Sequence, residues 1–336
     1  MQQIMGQNSH HAPEAGYVLG VDIGGTNLRA AMANMSGTVV ARWSASTVGL
    51  RGHEAVVDLI GDGVEGLLQA TGRSRESLRA FAAGVPGVTD VENGVVIATS
   101  YLMGWKNIPF RALLEKKLGL PIAIDNDVNM AALGEYCVGA AKDVHDFVFV
   151  AIGTGIGAGI LLNGRPFRGQ LWGAGEIGYM ILPETALVPS DSYEPGSLEQ
   201  LIGGEGIRSR WNAYREAQAS ELPADLSATE IFDFANAGNL SALEFVKHVA
   251  LVLAQAIYNV FLVLNCPLFV LGGGVGQHPL LCAETNAVLT KWKLRTQPKI
   301  VNSSIGAEAQ LLGSVYAALD VAKQNAVSPP HLQFVE

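Results

Sequence analysis

Cationic side chains are scarce in this sequence: Lys and Arg number 22 against 31 Asp and Glu, for a net charge of −9. They do not gather into a basic patch, which argues against a nucleic-acid binder. Cysteine is scarcer still. Cys137, Cys266 and Cys282 are odd in number and far apart, so no disulfide framework is expected and a reducing cytoplasm suits the chain. The opening residues, MQQIMGQNSHHAPEAG, lack the apolar core of a signal peptide and read as a frayed extension. The longest apolar stretch, 249–264, carries Gln255 and Asn259 and reads as a buried helix rather than a membrane span. What the chain does have is length, 336 residues, with 49% hydrophobic residues and 39 glycines. Those numbers fit a two-domain α/β protein with a large core and many tight turns.

The most informative stretch is 16–33, GYVLGVDIGGTNLRAAMA. Two apolar runs joined through Gly-Gly read as a β-hairpin. Glycines let backbone approach a ligand, so that N–H groups can point at an anion. Asp22 beside such a turn would repel a phosphate unless a Mg²⁺ stood between them, since that cation takes carboxylate, water and phosphate oxygens. An ordinary hairpin turn would also use Gly and Asn, but Asp-x-Gly-Gly-Thr-x-x-Arg is more specified than a turn requires. A nucleotide is compatible with the acidic composition, because backbone donors and metal can meet its charge locally.

Along the chain, residues 38–46 read as a third strand, 53–70 as an amphipathic helix and 80–88 as a strand entering a Gly-Pro-Gly loop. This is the opening of a ribonuclease-H-like half. A helix at 113–118 and a strand at 120–124 follow, then Asp125, Asn126 and Asp127 ahead of an Ala/Met-rich helix. Ligands of open α/β sheets bind outside the carboxyl ends of strands. A carboxylate there can accept a hydroxyl proton during phosphoryl transfer. The same letters could supply a helix N-cap, which needs only one of the three. Residues 147–162 repeat the first design, with Gly153 at the place of Asp22 and Thr154-Gly155 following, which points to an internal duplication. Helices are expected at 205–219, 229–237 and 242–264. A strand at 268–271 runs into Gly272-Gly273-Gly274, which alone could be any tight βα turn. A closing helix spans 306–318, with a loose tail beyond 327.

Asp22-Ile23-Gly24-Gly25-Thr26-Asn27-Leu28-Arg29 resembles the first phosphate motif of sugar kinases in the hexokinase/actin-like ATPase superfamily, and more narrowly of the ROK family. The resemblance runs from residue 17 to about 319. It implies two ribonuclease-H-like α/β domains around a cleft, 1–124 and 125–305, the first perhaps completed by the last helix around 306–325. It implies ATP- and Mg²⁺-dependent phosphorylation of a hexose hydroxyl, with glucose the leading substrate. Another hexose, or a catalytically silent sugar sensor, is the alternative. Asp127 would be the base. Asp22 would hold Mg²⁺ through water. Gly24, Gly25, Thr26, Asn27, Gly153, Thr154 and Gly155 would hold phosphates, and Gly273 and Gly274 the adenosine. Gly87, Asn126, Glu176, Tyr179 and Glu199 would face the sugar with Asp127. On the residues alone, Glu176 and Glu199 could equally be surface carboxylates. A homodimer in the cytoplasm is implied, without nucleic acid or membrane; about 16 residues precede the first motif, too few for a winged helix-turn-helix.

The chain departs from the family in two places. Tyr101, with Ser100 beside it, stands where a sugar-contacting Asn is usual. Tyr179 stands at a His position, and residues 193–199 lack the family's cysteines, with Ser197 at the last. Three thiolates and an imidazole cannot be assembled there, so no zinc site is expected.

Overall fold

A computed structural model describes residues 16–99, 102, 104–183 and 195–327. Ser100, Tyr101, the 184–194 part of the loop ahead of Glu199, and both chain ends lie outside the described residues.

The first half opens with β1 (Tyr17–Ile23), β2 (Asn27–Asn34) and β3 (Val39–Ser46), followed by α1 (Gly52–Thr71) and β4 (Leu78–Val85). β1 is buried almost throughout, as its unbroken apolar run requires, whereas β3 alternates half-buried and exposed residues and lies at the sheet edge. A separate small sheet holds β5 (Val88–Asp90), β6 (Val95–Ala98) and β7 (Lys106–Ile108). β4 therefore stops at Val85 instead of running to 88. Gly87 turns the chain at φ +104°, and a Cβ there would stand 2.2 Å from the Ala98 carbonyl oxygen. No alternation marks β5, β6 and β7, which are too short to show one. Next come α2 (Phe110–Leu118) and β8 (Ile122–Asn126). β8 extends two residues past the expected end, so that Asp125 and Asn126 sit in register with Gly84 and Val85 of β4.

α3 (Asp127–Val138) leads into the second half, β9 (Phe147–Ile152), β10 (Ile156–Leu162) and the short β11 (Arg165–Pro166). Then follow α4 (Glu199–Ile202), α5 (Gly204–Ala217), α6 (Ala228–Asn236) and α7 (Leu240–Leu264). α7 has mean hydropathy 1.6 over its most apolar window and is, among the described residues, the only helix long and apolar enough to cross a membrane. Its Phe245, Val249, Leu253 and Ile257 pack in the core of this half beside Trp211 of α5. The chain ends with β12 (Leu268–Gly272), the single turn α8 (Gly273–Gly276), α9 (Pro279–Lys291), β13 (Lys299–Asn302) and α10 (Ala309–Val327). The triple glycine thus opens a helical turn. The closing helix starts later than expected, after one 3₁₀ turn at Gly306–Glu308, and runs longer.

The two large sheets share one plan. Their strand orders are β3-β2-β1-β4-β8 and β11-β10-β9-β12-β13, with an antiparallel hairpin and two parallel neighbours in each. The repeated hairpin legible in the sequence is therefore the start of a repeated domain, and the fold is the two-domain arrangement expected. α10 returns to the first half: its Leu311, Val315 and Leu319 pack with Val18, Ala31, Ala80 and Ala82 of that sheet and with Met130 of α3.

Candidate active site

Between the halves lies a cleft of about 490 Å³. Its walls bring together Gly24, Gly25, Gly87, Asn126, Asp127, Gly153, Thr154, Gly155, Glu176, Tyr179, Glu199 and Gly273, residues spread over most of the chain. Asp22, Thr26, Asn27 and Gly274 do not line it. Thr26 and Asn27 are exposed at the hairpin tip, and Asp22 lies buried just behind.

The three polar residues at the end of β8 divide their work. Asn126 is the N-cap of α3: its Oδ1 accepts from the N–H groups of Val128 (2.8 Å) and Asn129 (3.2 Å). Its Nδ2 donates to the Gly87 carbonyl at 2.9 Å, tying the Gly-Pro-Gly loop to the helix start. Asp125 turns away, accepting from Asn129 and from the Arg168 guanidinium. That leaves Asp127, the first residue of α3, with its carboxyl open to the cleft. Its Oδ1 accepts from its neighbour's N–H, Val128 at 3.0 Å. Desolvation by the surrounding protein, with Asp22 and Glu176 nearby as like charges, pushes this carboxyl up to about 7.

The cleft's other carboxyls are also perturbed. Burial pushes Glu176 above the ordinary value, and neighbouring Glu199 adds to the effect. Burial raises Glu199 as well, against the N–H of Ile156, which donates to its Oε2 at 2.9 Å. That bond fixes Glu199 to the start of β10, just past the second hairpin. Glu176 sits on a segment anchored to the same strand, where the Ala158 N–H donates to the Gly175 carbonyl at 2.8 Å. Gly175 has φ +96°, and a Cβ would fall 1.9 Å from the Ala158 oxygen, so only glycine lets the segment lie this close. Tyr179 ends the 3₁₀ turn after Glu176 and is 40% exposed at the cleft wall.

The hairpins are held alike but offer fewer donors than glycine-rich letters suggest. Gly24 N–H closes its own turn onto the Asn27 carbonyl at 2.8 Å, and Gly153 N–H does so onto Gly155 at 2.9 Å. Gly204 and Glu205, opening α5, donate N–H bonds to the Gly153 and Thr154 carbonyls and brace the second hairpin from behind. Opposite Asp22 in the β1–β2 register stands Arg29, whose Nε and Nη2 reach Asp22 Oδ2 at 3.0 and 2.6 Å. Burial lifts the Asp22 carboxyl above its ordinary value and Arg29 opposes the lift. Asp22 Oδ1 makes no side-chain bond among the described residues.

Sequence reasoning missed Gln310 and Thr99, which also line the cleft. Gln310 stands in the first turn of a helix whose other letters are plain packing residues, so no motif marks it. Among the described residues no group of three or more His, Cys, Asp or Glu could hold a metal by itself. Cys137, Cys266 and Cys282 lie on α3, after α7 and on α9.

The chain is similar to several known proteins. A glucokinase from Halalkalibacterium halodurans is 32% identical over 269 residues, covering 78% of this chain and 81% of that protein. A beta-glucoside kinase from Listeria monocytogenes is 27% identical, covering 88% and 95%. The structure of a ROK family glucokinase from Streptomyces griseus, in complex with glucose and AMPPNP, superposes with a TM-score of 0.75 at 25% identity, covering 91% of this chain and all of that one. The model of the ROK family matches residues 18–321. That match spans most of the chain, which therefore belongs to the ROK family.

Proposed function

We propose that the protein is an ATP-dependent sugar kinase that phosphorylates a hexose hydroxyl, with glucose as the first candidate. One observation carries the reading: Asp127 stands at the carboxyl end of β8, in a cleft walled by both hairpins, with its carboxyl raised to about 7. A base poised near the working pH can take a hydroxyl proton as transfer begins. Support for ATP and glucose comes from the S. griseus relative, whose structure holds glucose and AMPPNP. The beta-glucoside kinase relative keeps other sugars in view.

In this reading Asp127 accepts the proton of the attacking hydroxyl. Glu176, Glu199 and Tyr179, with the loop around Gly87, orient the sugar. Asn126 acts through its cap and its bond to Gly87, so it shapes the pocket more than it touches sugar. Gly25, Thr154, Gly155 and Gly273 face the nucleotide. The donor set fits Mg²⁺: the cleft lining has no Lys or Arg to offset a triphosphate, and Asp22 keeps one carboxylate oxygen for a metal-bound water. When bound, that ion would neutralise phosphate charge. The halves divide at the end of β8, two residues past the expected 124, with α10 completing the first; closure between them would keep water from competing with the sugar. A cytoplasmic homodimer accompanies this reading.

The deciding experiment is ADP release by the purified chain with a panel of hexoses, N-acetylhexosamines and β-glucosides. Sugar-dependent ADP release supports a kinase, and the best kcat/KM names the substrate. Sugar binding with no ADP release from any sugar would establish a silent sensor instead.

A further inference from the structure

The inference below rests on the nucleotide reading of the cleft and deepens it. The residues lining the cleft include three carboxylates, Asp127, Glu176 and Glu199, and no Lys or Arg. A triphosphate there must be held by metal and by neutral donors: backbone N–H groups, hydroxyls and amides. The backbone supply is reduced, because Gly24 and Gly153 spend their N–H groups inside their own turns. Only two side-chain amides line the cleft, Asn126 and Gln310. Asn126 is committed to the α3 cap and to Gly87. The Gln310 amide has no such commitment; among the described residues none hydrogen-bonds it.

Its place is also specific. Gly306, at the start of the 3₁₀ turn before α10, lies against Gln277, just after the glycine loop of β12–α8; a Cβ on Gly306 would be 3.0 Å from Gln277 Nε2. Glu308, two residues before Gln310, faces Arg29 at 3.8 Å and Arg42 at 2.9 Å, and Arg29 holds Asp22 behind the first hairpin. The start of α10 is therefore wedged between the first hairpin and the glycine loop, the side of the cleft assigned to the nucleotide. Gln310 is half-buried there, in the first turn of a 19-residue helix, the end whose dipole favours negative charge.

We infer that Gln310 is a contact to the phosphate chain, its amide N–H donating to a phosphate oxygen. The test uses the full chain and two variants of nearly unchanged shape, Gln310→Met and Gln310→Glu. Calorimetric titrations with Mg-ADP and with adenosine read binding without turnover. Loss of one charge-assisted hydrogen bond should weaken Mg-ADP about tenfold in Gln310→Met. Gln310→Glu should weaken it further, since a carboxylate repels phosphate. Adenosine affinity, the sugar KM and the thermal midpoint should stay within about twofold or a degree of wild type, on the scale of a neutral surface change. Equal Mg-ADP affinity in all three proteins, or equal loss for Mg-ADP and adenosine, overturns the inference while leaving the kinase reading intact. A wild-type chain that binds neither Mg-ADP nor ATP overturns both.

Discussion

Arg168 reaches from the second half to Asp125 in the first, placing Nε at 2.9 Å and Nη2 at 2.6 Å from one carboxylate oxygen. Asp125 is almost fully buried, whereas Arg168 is partly open to solvent. The pair joins β8, the strand just ahead of Asp127, to the start of the segment that carries Glu176 and Tyr179. This contact thus ties together two walls of the proposed sugar pocket. Arg168→Ala would leave a buried carboxylate uncompensated, at a cost of about 3 kcal/mol. Urea unfolding should show that loss, and the double variant with Asp125→Ala should recover part of it. The sugar KM should rise in the single variant while the ATP KM holds. Equal stability of single variant and wild type would refute the coupling.

Asp127→Asn keeps the shape of the site and removes the base. Turnover should fall by about 10²–10⁴-fold with sugar affinity within a few-fold, read from steady-state rates and sugar titration. Activity within about threefold of wild type would exclude this residue as base, since general bases contribute far more.

The same substitution should change stability in the opposite direction. The Asp127 carboxyl is raised above its ordinary 3.8 to about 7, so the folded state binds more protons than the unfolded one between those values. Stability is then lost as pH rises through that window, because the ionised group is desolvated and faces like charges. Asp127→Asn has nothing to ionise. It should match wild type near pH 4 and exceed it by on the order of 1–3 kcal/mol at pH 8. Denaturation midpoints across pH test this, and kcat/KM of wild type should show an acid limb with apparent pKa about 7.

Asp22→Ala removes the proposed water-mediated metal anchor and frees Arg29. The KM for Mg-ATP should rise about tenfold or more, the scale of one lost charged contact, with the sugar KM little changed. A rise confined to the sugar KM, insensitive to added Mg²⁺, would defeat the phosphate-side assignment of the first hairpin.

Zinc gives a separate test. The cysteines lie on α3, between α7 and β12, and on α9, and residues 195–199 are placed by backbone contacts, with Leu198 N–H donating to the Gly178 carbonyl at 2.9 Å. Elemental analysis of purified protein should find no stoichiometric zinc, and activity after chelation should return with Mg²⁺ alone. Activity that returns only with Zn²⁺ would contradict the expectation.

What could be read in the letters follows from how strongly each constraint is local. The β1–β2 hairpin announced itself because a buried strand needs an unbroken apolar run and its turn needs glycine. The long α7 did so because its period extends over many turns. Asp125, Asn126 and Asp127 were legible as a group but not as individuals. Which one caps, which one pairs and which one faces the cleft depends on Arg168, 43 positions from Asp125. β5 to β7 and β13 were invisible because three or four residues carry no period. Gln310 went unnoticed because its place depends on where α10 docks.

The shared strand order of the two sheets has a consequence for direction. Two copies of one template face each other across a single cleft, yet the proposed phosphoryl transfer has a donor end and an acceptor end. A perfectly mirrored pair would not tell them apart. The two copies differ where that matters: the first hairpin carries Asp22 where its counterpart has Gly153, and β8 is followed by Asp127, with its carboxyl open to the cleft, where β13 is followed by Ser303. In the proposed kinase, those two differences between otherwise matching halves are what would tell the donor end of the cleft from the acceptor end.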